Sequence, residues 1–251
     1  MFRHIVLPHS CHVSATFFGS AAPPCYNRPM CGRFDQNDIS RGTLAAFGWA
    51  DAAWHGAAAP TRNAAPGSRR AVLHRHGGAP RLDELYWGYR PDWAAGRVPL
   101  AYQARLEKVH GGYWCRLLEH GRALVPVNGW YEWTGAKGAR QPWHIHRRDG
   151  QPFLLLALAS FEAVQHHPAE AGFVLLTAEA GAGLVDLHDR RPLVLAAADA
   201  AAWLDPALSG RQAARLAAVL ALGAEHFAWH PVSADLQHEV APPPVQLGLP
   251  L

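Results

Sequence analysis

Lysine is nearly missing from this chain: of its 23 basic residues, all but Lys108 and Lys137 are arginine. Acidic residues are absent from the first thirty positions, whose only fixed charges are Arg3 and Arg28. No apolar run reaches the roughly 18 residues that a bilayer-spanning helix needs, which excludes a membrane helix. Cysteine is scarce as well. Of Cys11, Cys25, Cys31 and Cys115, only two remain from residue 31 onward, too few for a disulfide framework and in keeping with a reducing, cytoplasmic compartment. There is no strong charge of either sign. Formal net charge is +3, and removing residues 1–30 leaves 21 − 20 = +1. Such a balance excludes a global polycation, so any contact with nucleic acid must come from a local patch.

The amino-terminal segment does not read as a secretion signal. Ile5 to Leu7 start an apolar stretch that Pro8, His9 and His12 interrupt, so no apolar region of about 7 to 15 residues precedes a small-residue cleavage site. Residues 1–30 are expected to be a leader or a misassigned start, absent from the mature protein. The stretch PPCYNRPMCGRF, from Pro23 to Phe34, contains a second methionine, Met30, followed at once by Cys31. Were Cys31 the true N-terminus, it would carry a free α-amine and a thiol on adjacent carbons.

From there the pattern predicts one α+β domain over residues 31–236, with a curved, barrel-like antiparallel sheet and peripheral helices. Residues 40–48 read as a short helix capped by Ser40. Arg122 to Trp133 reads as β-structure. Pro142 to Phe161 reads as a hairpin turning at Asp149-Gly150, and Gly172 to Ala178 as another strand. Leu208 to Gly223 predicts a helix opened by a Ser209–Gln212 capping box and stopped at Gly223. Residues 237–251, with Pro242 to Pro244, form a tail. His144 and His146 share one face of a strand, but no complete set of three or four His or Cys ligands accompanies them, so neither a metal nor another cofactor is expected.

Taken singly, Cys31, Glu132 in NGWYEW and His188 in DLHDRRP each have an ordinary structural reading. The ordered series does not. MCGRF (Met30–Phe34), RNAAP (Arg62–Pro66), WGYRPDW (Trp87–Trp93), QARLE (Gln103–Glu107), ALVPVNGWYEW (Ala123–Trp133), LLTAEA (Leu175–Ala180) and HDRRP (His188–Pro192) follow one another along the chain. Together they resemble the SRAP family, the SOS response-associated peptidases that crosslink to abasic sites in DNA. The likeness covers about residues 30–206, with a weaker echo at His230 to Leu236.

The resemblance implies that Met30 and everything before it are removed and that Cys31 becomes the N-terminus. Its amine would add to the C1′ aldehyde of a ring-opened abasic sugar, and its thiol would close a thiazolidine on the same carbon. Glu132 would move a proton at the amine. His188 would protonate the sugar ring oxygen. The Cys31 thiol would also cut its own Met30–Cys31 bond, a single-turnover peptidase step. Arg33 and Arg105 match phosphate-holding positions, with pairing to acids such as Glu107 as the alternative. Asn63, Pro66 and Trp87 fall in motifs lining the DNA groove, although Trp87 also suits a core position. Thr177 would orient the site through its hydroxyl. The implied partner is single-stranded DNA containing abasic sites, bound by a monomer with no membrane involvement. Two departures stand out: Gln103 replaces the family's asparagine, moving its amide by about 1.5 Å, and Ala123 stands where a cysteine is common. A noncovalent reader of single-stranded or damaged DNA, its chemistry impaired by Gln103, is the alternative reading. A general cysteine peptidase is a third.

Overall fold

The computed structural model describes residues 32–56, 58–136, 138–161, 172–180, 184 and 187–237. Residues 1–31, Cys31 among them, and residues 238–251 lie outside the described residues. The chain opens with β1 (Arg33–Gln36), α1 (Arg41–Ala46), β2 (Ala53–His55), β3 (Thr61–Ala64), β4 (Arg69–His74) and β5 (Arg81–Trp87). It continues through β6 (Gln103–Arg105), α2 (Cys115–His120), β7 (Arg122–Val127), β8 (Gly129–Thr134), β9 (Gln141–Arg147) and β10 (Phe153–Ala159). The last elements are β11 (Gly172–Glu179), β12 (Arg190–Pro192), β13 (Val194–Leu195), α3 (Ala197–Trp203), α4 (Gly210–Leu220) and β14 (Phe227–Pro231).

These strands make two sheets, so the α+β class holds. The first has five strands in the order β14-β9-β8-β1-β3 and is antiparallel throughout. The second runs β12-β11-β10-β7-β4-β5-β2, with β13 on β10 and β6 on β11. It is mixed rather than antiparallel, because β11 runs parallel to both β5 and β6, and β2 parallel to β5. Long excursions, not tight turns, return the chain to these parallel partners. The β11–β5 pairing closes the second sheet into a ring.

The expected hairpin around Asp149-Gly150 is not one. The turn forms, with Gly150 at φ 69°, but β9 pairs with β8 and β14 while β10 pairs with β7, β11 and β13. Burial explains the split. All seven residues of β10, FLLLALA, are buried, which suits a strand covered on both faces. In β9 only Pro142 and Ile145 are buried. The segment from Arg122 to Trp133 likewise divides at Asn128, whose amide donates to Asp35 O at 2.8 Å, leaving β7 in one sheet and β8 in the other.

Both helix starts follow the sequence. Thr43 N donates to Ser40 Oγ at 3.1 Å, and Ser209 and Gln212 complete their capping box. The second helix stops at Leu220, three residues before Gly223. Phe34 of the first sheet lies 4.6 Å, ring to ring, from Trp87 of the second, whose ring is 6.1 Å from that of Phe173 on the adjoining strand. Gln36, fully buried, donates to Ala71 O and Pro126 O, both at 3.0 Å, and accepts from Ala71 N at 3.2 Å. These contacts hold the β1 motif against the ring.

Candidate active site and nucleic-acid face

In an antiparallel sheet, residues directly opposite one another share a face. Arg33 faces Tyr131, Tyr131 faces His144, and His144 faces His230. Four strands therefore present one straight row on the outer side. On the inner side, Phe34, Trp130 and Ile145 form the matching buried row. Glu132 shares that inner side and is 4 % exposed, so its carboxylate is shielded from bulk water. Arg33 Nη1 donates to Asn63 Oδ1 at 2.7 Å, and Asn63 Nδ2 in turn contacts Leu236 O. Burial pushes the Arg33 pKa downward, yet a guanidinium stays charged across the working range. Pro66 is half-buried in the turn after β3.

The remaining sequence-derived residues gather at one edge of the ring. Gln103, Ala104 and Arg105 lie beside Leu175, Leu176 and Thr177, and Thr177 and Glu179 lie beside Pro192 and Arg190. Thr177, fully buried, donates its hydroxyl to Ala104 O at 3.4 Å and accepts from Arg190 Nη2 at 3.2 Å. Arg190 also reaches Thr177 O at 3.0 Å and grips Glu107 with two bonds of 2.8 and 3.2 Å. Such a fork is the strong form of an ion pair. Burial alone would raise the Glu107 pKa, but the Arg190 bond, its own backbone amide and the charges of Arg190 and Arg105 outweigh it and hold the carboxyl below its ordinary value. Glu107 is thus the partner of Arg190, while Arg105 remains exposed.

His188 stands two residues before Arg190. Its Nδ1 lies 2.7 Å from Asp189 Oδ1 and 3.1 Å from the Arg190 amide nitrogen. One nitrogen cannot both donate to a carboxylate and accept from an amide. The shorter, charge-assisted contact prevails and sets the proton on Nδ1, which leaves Nε2 as the basic nitrogen of the neutral ring.

The structure therefore sorts the sequence-derived residues into two groups. Arg33, Asn63 and Glu132 belong to the five-stranded sheet, and Gln103, Arg105, Thr177 and His188 to the edge of the ring. Cys31 lies outside the described residues, two positions before Arg33. Trp87 has no exposed surface and donates Nε1 to Tyr102 O at 3.0 Å, which fits its core reading. Sequence reasoning passed over Arg190 and Asp189, although both stand in the HDRRP motif that supplied His188. Among the described residues no group of three His, Cys, Asp or Glu side chains is arranged to hold a metal ion, and no helix is long and apolar enough to cross a membrane.

Comparison with known proteins matches this architecture. The family model for SOS response associated peptidase (SRAP) matches residues 30–239. The chain is 37 % identical over 213 residues to the abasic site processing protein YedK of Escherichia coli strain K12, covering 81 % of this chain and 92 % of that one. It is 27 % identical over 183 residues to the abasic site processing protein YoaM of Bacillus subtilis strain 168, covering 70 % and 80 % respectively. Among solved structures, a phage-related protein of Bordetella bronchiseptica superposes with a TM-score of 0.68 at 35 % identity, over 80 % of this chain and 94 % of that one. A Bacteroides thetaiotaomicron protein shares the fold at a TM-score of 0.68 and 16 % identity, over 87 % of this chain and all of its own. With motifs, fold and relatives in agreement, the chain belongs to the SOS response associated peptidase (SRAP) family.

Proposed function

We propose that this protein processes abasic sites in DNA and captures them covalently through Cys31, once residues 1–30 have been removed. The reading carries over from the relatives' abasic-site processing. It is supported most by one observation: the Arg190 clamp on Glu107 and Thr177 holds the His188 segment against the strand that carries Gln103 and Arg105.

The reaction runs in two steps. The neutral Cys31 amine, available in part near neutral pH, adds to the aldehyde carbon, and one water leaves as the imine forms. The thiol sulfur then bonds to that carbon, its proton passes to nitrogen, and the thiazolidine ring closes. Glu132 shuttles the proton at the amine, and His188 delivers one to the sugar oxygen through Nε2. Arg33 and Arg105 hold phosphates beside the lesion, with Asn63 bracing Arg33. Arg190, held on Glu107 and Thr177, positions the His188 segment and does not itself reach the strand. Asn63 and Pro66 line the groove for a single strand, and Thr177 orients the edge. Exposure of Cys31 follows when its thiol attacks the Met30 carbonyl carbon, the acyl group passes from nitrogen to sulfur, and water hydrolyses the thioester to free both amine and thiol.

Intact-mass measurement of the chain expressed from Met1, before and after incubation with an abasic single-stranded oligonucleotide, tests this reading. The expected mass begins at Cys31 and rises by one oligonucleotide less one water, and Cys31→Ala shows no rise. Capture that survives Cys31→Ala overturns it. Salt-sensitive binding with no mass shift from a chain that does begin at Cys31 would identify a noncovalent reader.

A further inference from the structure

His144, His146 and His230 are not used by the chemistry above, yet they form a compact cluster on the outer face of the five-stranded sheet. Ring centroids are 5.7 Å apart for His144–His146, 5.4 Å for His144–His230 and 5.3 Å for His146–His230. The cluster continues the row that begins at Asn63 and Arg33. From β1 to β14 this row spans three strand spacings, about 14 to 15 Å. His230 is exposed, His146 half-buried and His144 the deepest of the three.

The niche for His144 is specific. Its ring lies 4.9 Å from that of Tyr131, above Gly129, where a Cβ would meet the imidazole and come 2.6 Å from Ile145 O. Among the described residues its Nε2 has no hydrogen-bond partner, with Asp35 Oδ2 at 3.6 Å. Burial, then the neighbouring His230, His146 and Arg62, pushes its pKa down to about 4. The groups around the cluster are Asp35 and Arg33 on β1, Arg62 on β3, Tyr131 on β8 and Asp235 on the turn packed against β9. Asp35 is 5 % exposed. The Asp235 carboxylate accepts from the Ser233 hydroxyl at 3.4 Å, and its own amide donates back to that oxygen at 3.2 Å. Among the described residues, cations and imidazoles thus outnumber accessible acids here: Asp35 lies 3.6 Å from His144 Nε2 but is buried, which leaves the face short of accessible negative charge.

We propose that this histidine row is a platform for the phosphate backbone of single-stranded DNA, and that it takes up protons as the strand binds. This rests on the reading of the protein as one that engages DNA. Phosphates laid along Arg33 and the three imidazoles supply the missing negative charge, which favours protonated imidazolium and converts it into a phosphate donor. Binding and protonation are then linked: affinity rises as pH falls, by about threefold per pH unit for each half-proton taken up.

The test uses the Cys31→Ala chain with a lesion-free single-stranded oligonucleotide, so that covalent capture plays no part. Titration calorimetry at pH 7 in two buffers of different ionisation enthalpy reads proton uptake directly. Uptake is expected for the Cys31→Ala chain and is lost in a His146→Gln/His230→Gln background, whose positions are exposed enough to leave folding intact. The double substitution also flattens the affinity change between pH 8 and pH 6. Equal uptake with and without the two histidines overturns the proposal, as does the absence of any binding. Covalent capture of an abasic strand by the Cys31-bearing protein at pH 8 is read separately. Its failure alongside normal proton uptake would count against the crosslinking chemistry and not against this surface.

Discussion

The two ends of the ring-shaped sheet each bury one arginine, and to almost the same depth: Arg122 is 7 % exposed and Arg190 8 %. Their partners differ in kind. Arg122 gives every nitrogen to main-chain carbonyls, with Nε on Trp203 O at 2.8 Å, Nη1 on Leu118 O and Glu119 O at 2.9 and 3.3 Å, and Nη2 on Asp205 O and Leu208 O at 2.6 and 3.0 Å. Those carbonyls lie around the ends of α2 and α3, where helices leave acceptors unsatisfied and favour a cation. Arg190 instead holds a carboxylate and a threonine, and leaves Nε unpartnered among the described residues. A guanidinium saturated by backbone seals an end. One that grips a carboxylate and a hydroxyl from two other segments ties those segments to its own.

The sharpest way to break this contrast is to remove the sealed arginine. Arg122→Leu strands several buried carbonyls and is expected to lower unfolding free energy by on the order of 3 kcal/mol or more, read by denaturant melts. A loss under about 1 kcal/mol would mean that water replaces the guanidinium at little cost.

Acid titration separates the regions next. His74, near the sealed end, has its pKa pushed down to about 4 by burial against the opposing pull of Asp83, and His144 on the outer face is held at about 4. The unfolded chain takes up these protons at about pH 6.5, while the native state refuses them until about pH 4. The native state therefore loses stability as pH falls through that window, by on the order of 3 kcal/mol for each histidine. His74→Phe and His144→Phe should each remove part of this slope, and the two parts should add.

At the open end, Arg190→Lys keeps the charge but loses the fork. It is expected to slow abasic-site capture by about tenfold or more through misplacement of His188, with a change in melting far smaller than for Arg122→Leu. Equal effects of the two substitutions on stability would erase the distinction. The smallest expected change is a few-fold acceleration of capture by Gln103→Asn, which retracts the amide by one bond, about 1.5 Å.

The family was legible in the sequence where the topology was not. Ordered motifs around Cys31, Glu132 and His188 pointed to it, because seven short matches in one order are far more specific than any one of them. Ser40 and the Ser209–Gln212 box marked helix starts, because capping is a local event. Local signals misled where a partner strand lay far away. Asp149-Gly150 makes a real turn, but nothing within the turn says that β10 is covered on both faces while β9 is not. The parallel pairing of β11 with β5 joins residues more than eighty positions apart, Gly172 with Tyr86, and no periodicity within either strand encodes it. Arg190 was illegible for a similar reason. Its importance lies in reaching Glu107, 83 residues away, whereas His188 announces itself by type.

Gly129 carries a consequence for the inheritance of the outer face. A β-carbon at this position would come 2.6 Å from the Ile145 carbonyl oxygen as well as meeting the His144 imidazole. Moving or replacing the ring relieves only the second contact, so a side chain at 129 has to displace the strand that carries the histidine row. In comparing descendants of this protein, glycine at 129 should be kept wherever that strand keeps its path.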